Sequence, residues 1–95
     1  MPTKTTFHEL KTWPEFFEPV WTGEKTFELR KDDRGFRAGD TLKLREFIPK
    51  HGEYTGRVIT ALVTYILGGM GLEKDYVAMS TLVLHKEPDR TNKEG

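Results

Sequence analysis

Residues 57–66, RVITALVTYI, are apolar at both parities and rich in β-branched side chains. A run of this length is about half of what a helix needs to cross a bilayer. Extended, it has apolar side chains on both faces, which suits a central strand curving through a barrel better than a solvated edge. The rest of the chain therefore has to supply neighbours on either side and cover above it. It must do so within 95 residues that contain no cysteine. Disulfides, thiolate metal sites and cysteine nucleophiles are thereby excluded. The apolar 36%, with six Phe, three Tyr and two Trp, suffices for one small core. One domain over residues 1–87 is expected, followed by a polar tail, residues 88–95, predicted to be disordered.

Helical periodicity occurs once. Trp13, Phe16, Phe17, Val20 and Trp21 stand at offsets 0, 3, 4, 7 and 8, the apolar stripe of a helix packed on a core. Thr12 and Glu15 have capping-box spacing, Pro14 suits a first turn, and Gly23 suits a left-handed stop. Pro19 removes a donor in the middle and predicts a kink or two short turns. Elsewhere strands dominate: residues 5–10, then KTFELRK, TLKLREF, the long apolar run and YVAMSTLVL, separated by DDRGF, AGD and LGGMG. A sheet this small buries both faces only by closing on itself or by being covered by the helix. The predicted class is α+β, a small mixed β-barrel with one main N-terminal helix packed on it.

Charge restricts the partners. Fifteen basic and fifteen acidic side chains cancel, and residues 23–47 carry seven basic and six acidic groups. Grip on long duplex nucleic acid normally requires a basic excess, so any nucleic-acid role falls to a small pocket or a few nucleotides. His8, His51 and His85 lie far apart, and no metal or cofactor is expected. The N-terminal residues lack a basic-then-apolar leader pattern, and no membrane segment is expected, which points to a cytoplasmic protein.

The densest charge lies in GEKTFELRKDDRGF, residues 23–36. Glu28 and Arg30 share one strand face, and Phe27 and Leu29 share the other with Lys25. As a plain solvated strand this is an Arg–Glu pair worth under about 1 kcal/mol. As a cleft lining, Lys25 beside Glu28 forms a charge-assisted pair, and Arg30 forks onto a phosphate or carboxylate. DDRGF reads as a turn whose aspartates cap amides, with Arg34 and Arg37 within reach of phosphates.

TGEKTFELRK resembles the Gly-x-Lys-x-x-Glu-x-Arg signature of the ASCH domains, in the PUA-like superfamily. The resemblance continues through GDTLKLREF, YTGRVITALVTYIL and YVAMSTLVL, over about residues 6–85, and is to a small uncharacterised branch of that superfamily. It implies a PUA-like barrel with a helix at one side and a cleft between them that receives nucleotides or RNA. Lys25, Glu28 and Arg30 fall on the signature positions lining that cleft. Some ASCH proteins hydrolyse an acetylated cytidine with the signature lysine, a threonine three residues later and a glutamate from a helical insert. Here Glu28 stands at the threonine position, the insert is absent, and Glu73 is the acidic candidate in its place.

The resulting expectation is a non-enzymatic domain that binds a nucleotide or short RNA. Lys25 and Arg30 would engage phosphate or base acceptors, and Glu28 a base amine. Trp13 or Tyr54 would stack, with Arg57 and His8 at the margin. The alternatives are a small hydrolase of a modified nucleoside or RNA, with Lys25 and Glu28 transferring protons, and a protein-interaction module using the aromatic helix face, which requires an exposed Trp13 or Trp21.

Overall fold

The computed structural model describes residues 5–88. The elements run β1 (Phe7–Thr12), α1 (Pro14–Thr22), β2 (Phe27–Lys31), β3 (Thr41–Ile48), β4 (Glu53–Gly68) and β5 (Tyr76–Glu87). The five strands form one curled half-barrel sheet in the order β1-β3-β4-β5-β2. β1 runs parallel to β3 and every other pairing is antiparallel. β4 is central, as its apolar run requires. It is sixteen residues long and begins at Glu53, ahead of the apolar run.

The protein is α+β, with a barrel-like sheet that does not close. Among the described residues β1 and β2 are the two edges and share no main-chain ladder. Side chains span the seam instead. Arg30 Nη2 donates to Lys11 O at 3.3 Å, and Arg34 Nη1 donates to Glu9 O at 3.3 Å. Carbonyls that would have paired with a neighbouring strand are thus satisfied by guanidinium groups, which blunts an exposed edge. Arg34 is thereby occupied by β1, away from the phosphate role considered for it.

One hydrophobic core forms on the concave side. Phe17 and Val20 of α1 pack with Leu10, Phe36, Leu42, Leu44, Ile59, Ala61, Val63, Val77 and Met79. Burying each of the larger side chains contributes about 1.5–3 kcal/mol. Among the described residues cover comes from α1 and, through Phe36, the 32–40 loop, and it leaves the outer face of the sheet open. Tyr65 and Leu67 of β4 are consequently exposed, although the apolar run containing Tyr65 suggests burial on both faces and Leu67 reads as the start of the LGGMG connection. Register shifts at Thr60/Ala61 and Val63/Tyr65 in β4–β5, and at Arg45/Phe47 in β3–β4, supply the curl.

The helix departs from its sequence signals at two points. Pro19 lies inside a single nine-residue α1, with no break. Thr12 does not cap it: Trp13 is the N-cap without a side-chain bond, and Thr12 Oγ1 faces Leu10 O and Arg30. Pro14 at the first turn and Gly23, with φ 91°, behave as expected. Of the tail, residues 89–95 lie outside the described residues, and β5 continues through Lys86 and Glu87.

Candidate functional site

β2 turns Glu28 and Arg30 inward. Glu28 lies opposite Met79 of β5 and Arg30 opposite Val77, both core residues. Residues directly opposite in a ladder share a face, so Glu28 and Arg30 project to the concave side while Phe27 and Leu29 remain half exposed outside. This places a carboxylate, 3% exposed, where an apolar side chain would pack.

That carboxylate is only half satisfied. Glu28 Oε2 accepts from Arg30 Nε at 2.8 Å. Arg30 Nη2 in turn donates to Thr12 Oγ1 at 3.1 Å, which ties β2 to the end of β1. Glu28 Oε1 is buried and has no hydrogen-bond partner. A buried acceptor left unpaired costs about 1–3 kcal/mol, more when charged. Such an oxygen marks a place where water or a ligand donor belongs.

Around it opens a cleft of about 800 Å³ between the β1–α1 junction and β2. Thr12, Trp13 and Phe16 form one wall, β2 the other, and Tyr76 closes an end. Trp13 is 46% exposed, its indole turned away from the core that the helical stripe had suggested. Phe16 is exposed as well, so the stripe divides: Phe17 and Val20 face the core, Trp13 and Phe16 the cleft. Lys25 Nζ lies between the rings of Phe16, 5.6 Å from its centroid, and Phe27, 5.4 Å. The expected Lys25–Glu28 pair is absent; Arg30 is the partner of Glu28 because the two share a strand face and Lys25 precedes the strand. The lining holds four cations, Lys11, Lys25, Arg30 and Lys31, against Glu15 and Glu28. A neutral protein thus concentrates positive charge at this one cleft, with one carboxylate at its floor.

The structure brings Lys25, Glu28, Arg30 and Trp13 together and places His8, Tyr54 and Arg57 elsewhere. His8 is buried, its Nε2 2.7 Å from Asp40 Oδ2 and its ring edge-on to Phe36 at 4.7 Å. Asp40 also accepts from the amides of Thr6 and Arg37. Burial works against its charge, but the bond to His8 and those two amides outweigh burial and hold the carboxyl below its usual range. Tyr54 packs edge-on against Phe47 at 5.0 Å with the Arg45 guanidinium 3.8 Å from its ring centroid, on the β3–β4 hairpin. Arg57 is claimed by Glu46. The three residues Thr55, Gly56 and Arg57 stand against the single Glu46 at the β3–β4 irregularity, which aims both Thr55 and Arg57 at that carboxylate. Arg57 Nε donates to Glu46 Oε1 at 2.9 Å, and Nη2 to Glu46 Oε2 at 3.1 Å and Glu18 Oε1 at 2.7 Å. The bond to Glu46 first, and then that to Glu18, raise the affinity of Arg57 for its proton. Tyr76 had no distinguishing signal, since it reaches the cleft only through its register with Lys31, and Phe16 was marked only as part of the helical stripe. Glu73 lies in the β4–β5 connection, outside the cleft lining. Among the described residues no cluster of three His, Asp or Glu could hold a metal ion, and no helix is long and apolar enough to cross a membrane.

A half-barrel with one helix and a cation-rimmed cleft at its open seam defines the class of domain. Residues 7–81 match the family described as Domain of unknown function (DUF3850), and the chain belongs to that family. It is similar to the uncharacterized 12.9 kDa protein in the GpA 3′ region of Escherichia phage P2, 36% identical over 76 residues, which are 80% of this chain and 68% of the phage protein. The family match spans every residue that lines the cleft.

Proposed function

We propose that the cleft binds a nucleotide or a short single-stranded RNA segment without chemically altering it. The observation that carries this reading is Glu28 Oε1, a buried acceptor without a partner on the floor of an aromatic, cation-rimmed cleft. In this reading Glu28 accepts from an amine or ring N–H of a base, as carboxylates do toward cytosine. Trp13 stacks on the base, a contact worth about 1–3 kcal/mol. Lys25, Lys11 and Lys31 meet phosphate at the rim, and Arg30 holds Glu28 in place with Nη1 left to donate. The absence of net charge suits a ligand with few phosphates, since counterion release scales with their number. Resemblance to the ASCH signature supports the same reading. Glu28 at the position of the hydrolytic threonine, with Glu73 outside the cleft, favours binding over hydrolysis.

Titrating labelled protein with nucleoside monophosphates and short RNAs tests it. Shifts should cluster on Lys25, Glu28, Arg30 and Trp13, and Lys25→Ala and Arg30→Ala should each weaken binding at least tenfold with the fold retained. Unchanged affinity in both variants overturns the assignment. A protein partner is the second reading, favoured by the half-exposed Trp13 beside exposed Phe16; shifts on the outer helix face with no nucleotide response would support it.

A further inference from the structure

The cleft is lined by five consecutive residues of β2, Phe27 to Lys31. Side chains alternate between faces along a strand, so a surface that touches five in a row runs along the strand's edge. The ladder with β5 shows which groups point there. Thr81 N donates to Thr26 O and Asp32 N donates to Asp75 O. Even-numbered residues of β2 therefore face β5, and Phe27, Leu29 and Lys31 turn their N–H and C=O groups to the free edge. Lys31 O accepts from Asp33 N at 3.0 Å. The N–H and C=O of Phe27 and Leu29 have no partner among the described residues.

On one strand edge, the carbonyl of a residue and the amide of the residue two further on point the same way. Phe27 C=O and Leu29 N–H thus present an acceptor and a donor side by side on either side of Glu28 in the chain, whose Oε1 is unpartnered. Nucleobases carry a donor beside an acceptor on their pairing edge, which is what proteins hydrogen-bond in single-stranded ligands. We infer that the base is held by the open main-chain edge of β2, with Phe27 C=O and Leu29 N–H pairing to it as a strand would and Glu28 Oε1 taking a further N–H. This rests on the nucleotide reading above and assigns the part of that site that no side chain supplies.

A free strand edge also accepts an extended polypeptide. The open length here argues for the smaller ligand. Arg30 crosses the seam to Thr12 and Lys11, and Lys31 O is already bonded, so only two residues of edge are free. Two residues suit one planar base and are short for a paired strand, while the lysines of the rim and the indole of Trp13 suit phosphate and base.

The experiment titrates ¹⁵N-labelled protein with AMP, CMP, GMP and UMP separately, and with an extended peptide of alternating apolar and polar residues. It follows the Leu29 amide by shift and by hydrogen exchange. Expected is a downfield shift of that amide and at least tenfold slower exchange at saturating nucleotide. Leu29→Pro, which deletes an N–H outside the ladder and so suits an edge strand, should keep the fold by spectrum and melting and lose at least tenfold in nucleotide affinity. Nucleotide binding that perturbs Trp13 and Glu28 but leaves the Leu29 amide untouched, in wild type alone, overturns the main-chain inference and leaves the nucleotide reading standing. No nucleotide response at all overturns both. Protection of Leu29 by the peptide but by no nucleotide overturns it in favour of strand addition.

Discussion

Two Arg–Glu pairs flank helix α1 and share the same chemistry, yet they end in opposite conditions. At the β3–β4 irregularity Glu46 receives two bonds from Arg57 and one from Thr55, and Arg57 goes on to Glu18 and packs 4.7 Å from the Trp21 ring centroid. Every oxygen there has a donor, and the pair pins helix to sheet. At the seam Glu28 receives one bond from Arg30 and keeps Oε1 bare. A saturated buried pair specifies structure, whereas a half-satisfied one costs stability that only a further donor recovers. The sequence offered both arginines as site residues; their hydrogen bonds separate the structural pair from the candidate site.

Mutation should separate them too. The largest effect is expected from Arg57→Ala, which removes the cation beside the buried Glu46 carboxylate: about 3–5 kcal/mol, or a fall in Tm of 12 °C or more at ~4–8 °C per kcal/mol. A loss below about 1 kcal/mol would erase the contrast. Asp40→Asn tests a third buried pair and should cost about 1–3 kcal/mol at neutral pH. Because the folded Asp40 carboxyl titrates below its ordinary range, its stabilisation is complete above the range of an unfolded aspartate and is lost as pH falls through the lowered value. Acid unfolding curves of wild type and Asp40→Asn should therefore converge below about pH 4; parallel curves would remove Asp40 from the saturated class.

Smaller still in stability is Glu28→Gln, expected to change unfolding free energy by under about 1 kcal/mol, since the charge it removes is already underpaired. On the proposed reading the same variant weakens nucleotide binding at least tenfold, so binding falls without stability at Glu28, whereas Arg57→Ala lowers stability and leaves binding unchanged. Trp13→Ala should move stability least, within about 0.5–1 kcal/mol for a half-exposed ring, while removing base stacking in a binding titration.

Local pattern carried much of this fold. The helix, its Pro14 start and Gly23 stop, the charged strand and the central position of β4 follow from periodicity and turn chemistry. What it could not convey was long-range register. Nothing local says that Tyr76 meets Lys31, that Thr12 receives Arg30, or that His8 is consumed by Asp40 thirty-two residues away. Closure failed for a related reason: whether two short edges pair depends on curl and stagger summed over all five strands, and here arginines filled the gap. Lys25, Glu28 and Arg30 were legible as a group, and of the two partners the sequence offered Glu28, strand parity selects Arg30 over Lys25.

The order of strands in the sheet also bears on how the molecule comes to be made. β2 is synthesised within the first third of the chain, yet its ladder is with β5, the last strand. Loops must close over more than fifty residues before Phe27 meets Ser80, a non-local contact of the kind that slows folding. As the chain emerges from the ribosome, α1 and β3–β4 can begin to consolidate while the strand bearing Glu28 waits, unpaired on both edges. The cleft is thus among the last features to assemble, and amides of β2 are expected to be the earliest to exchange when the native protein opens locally.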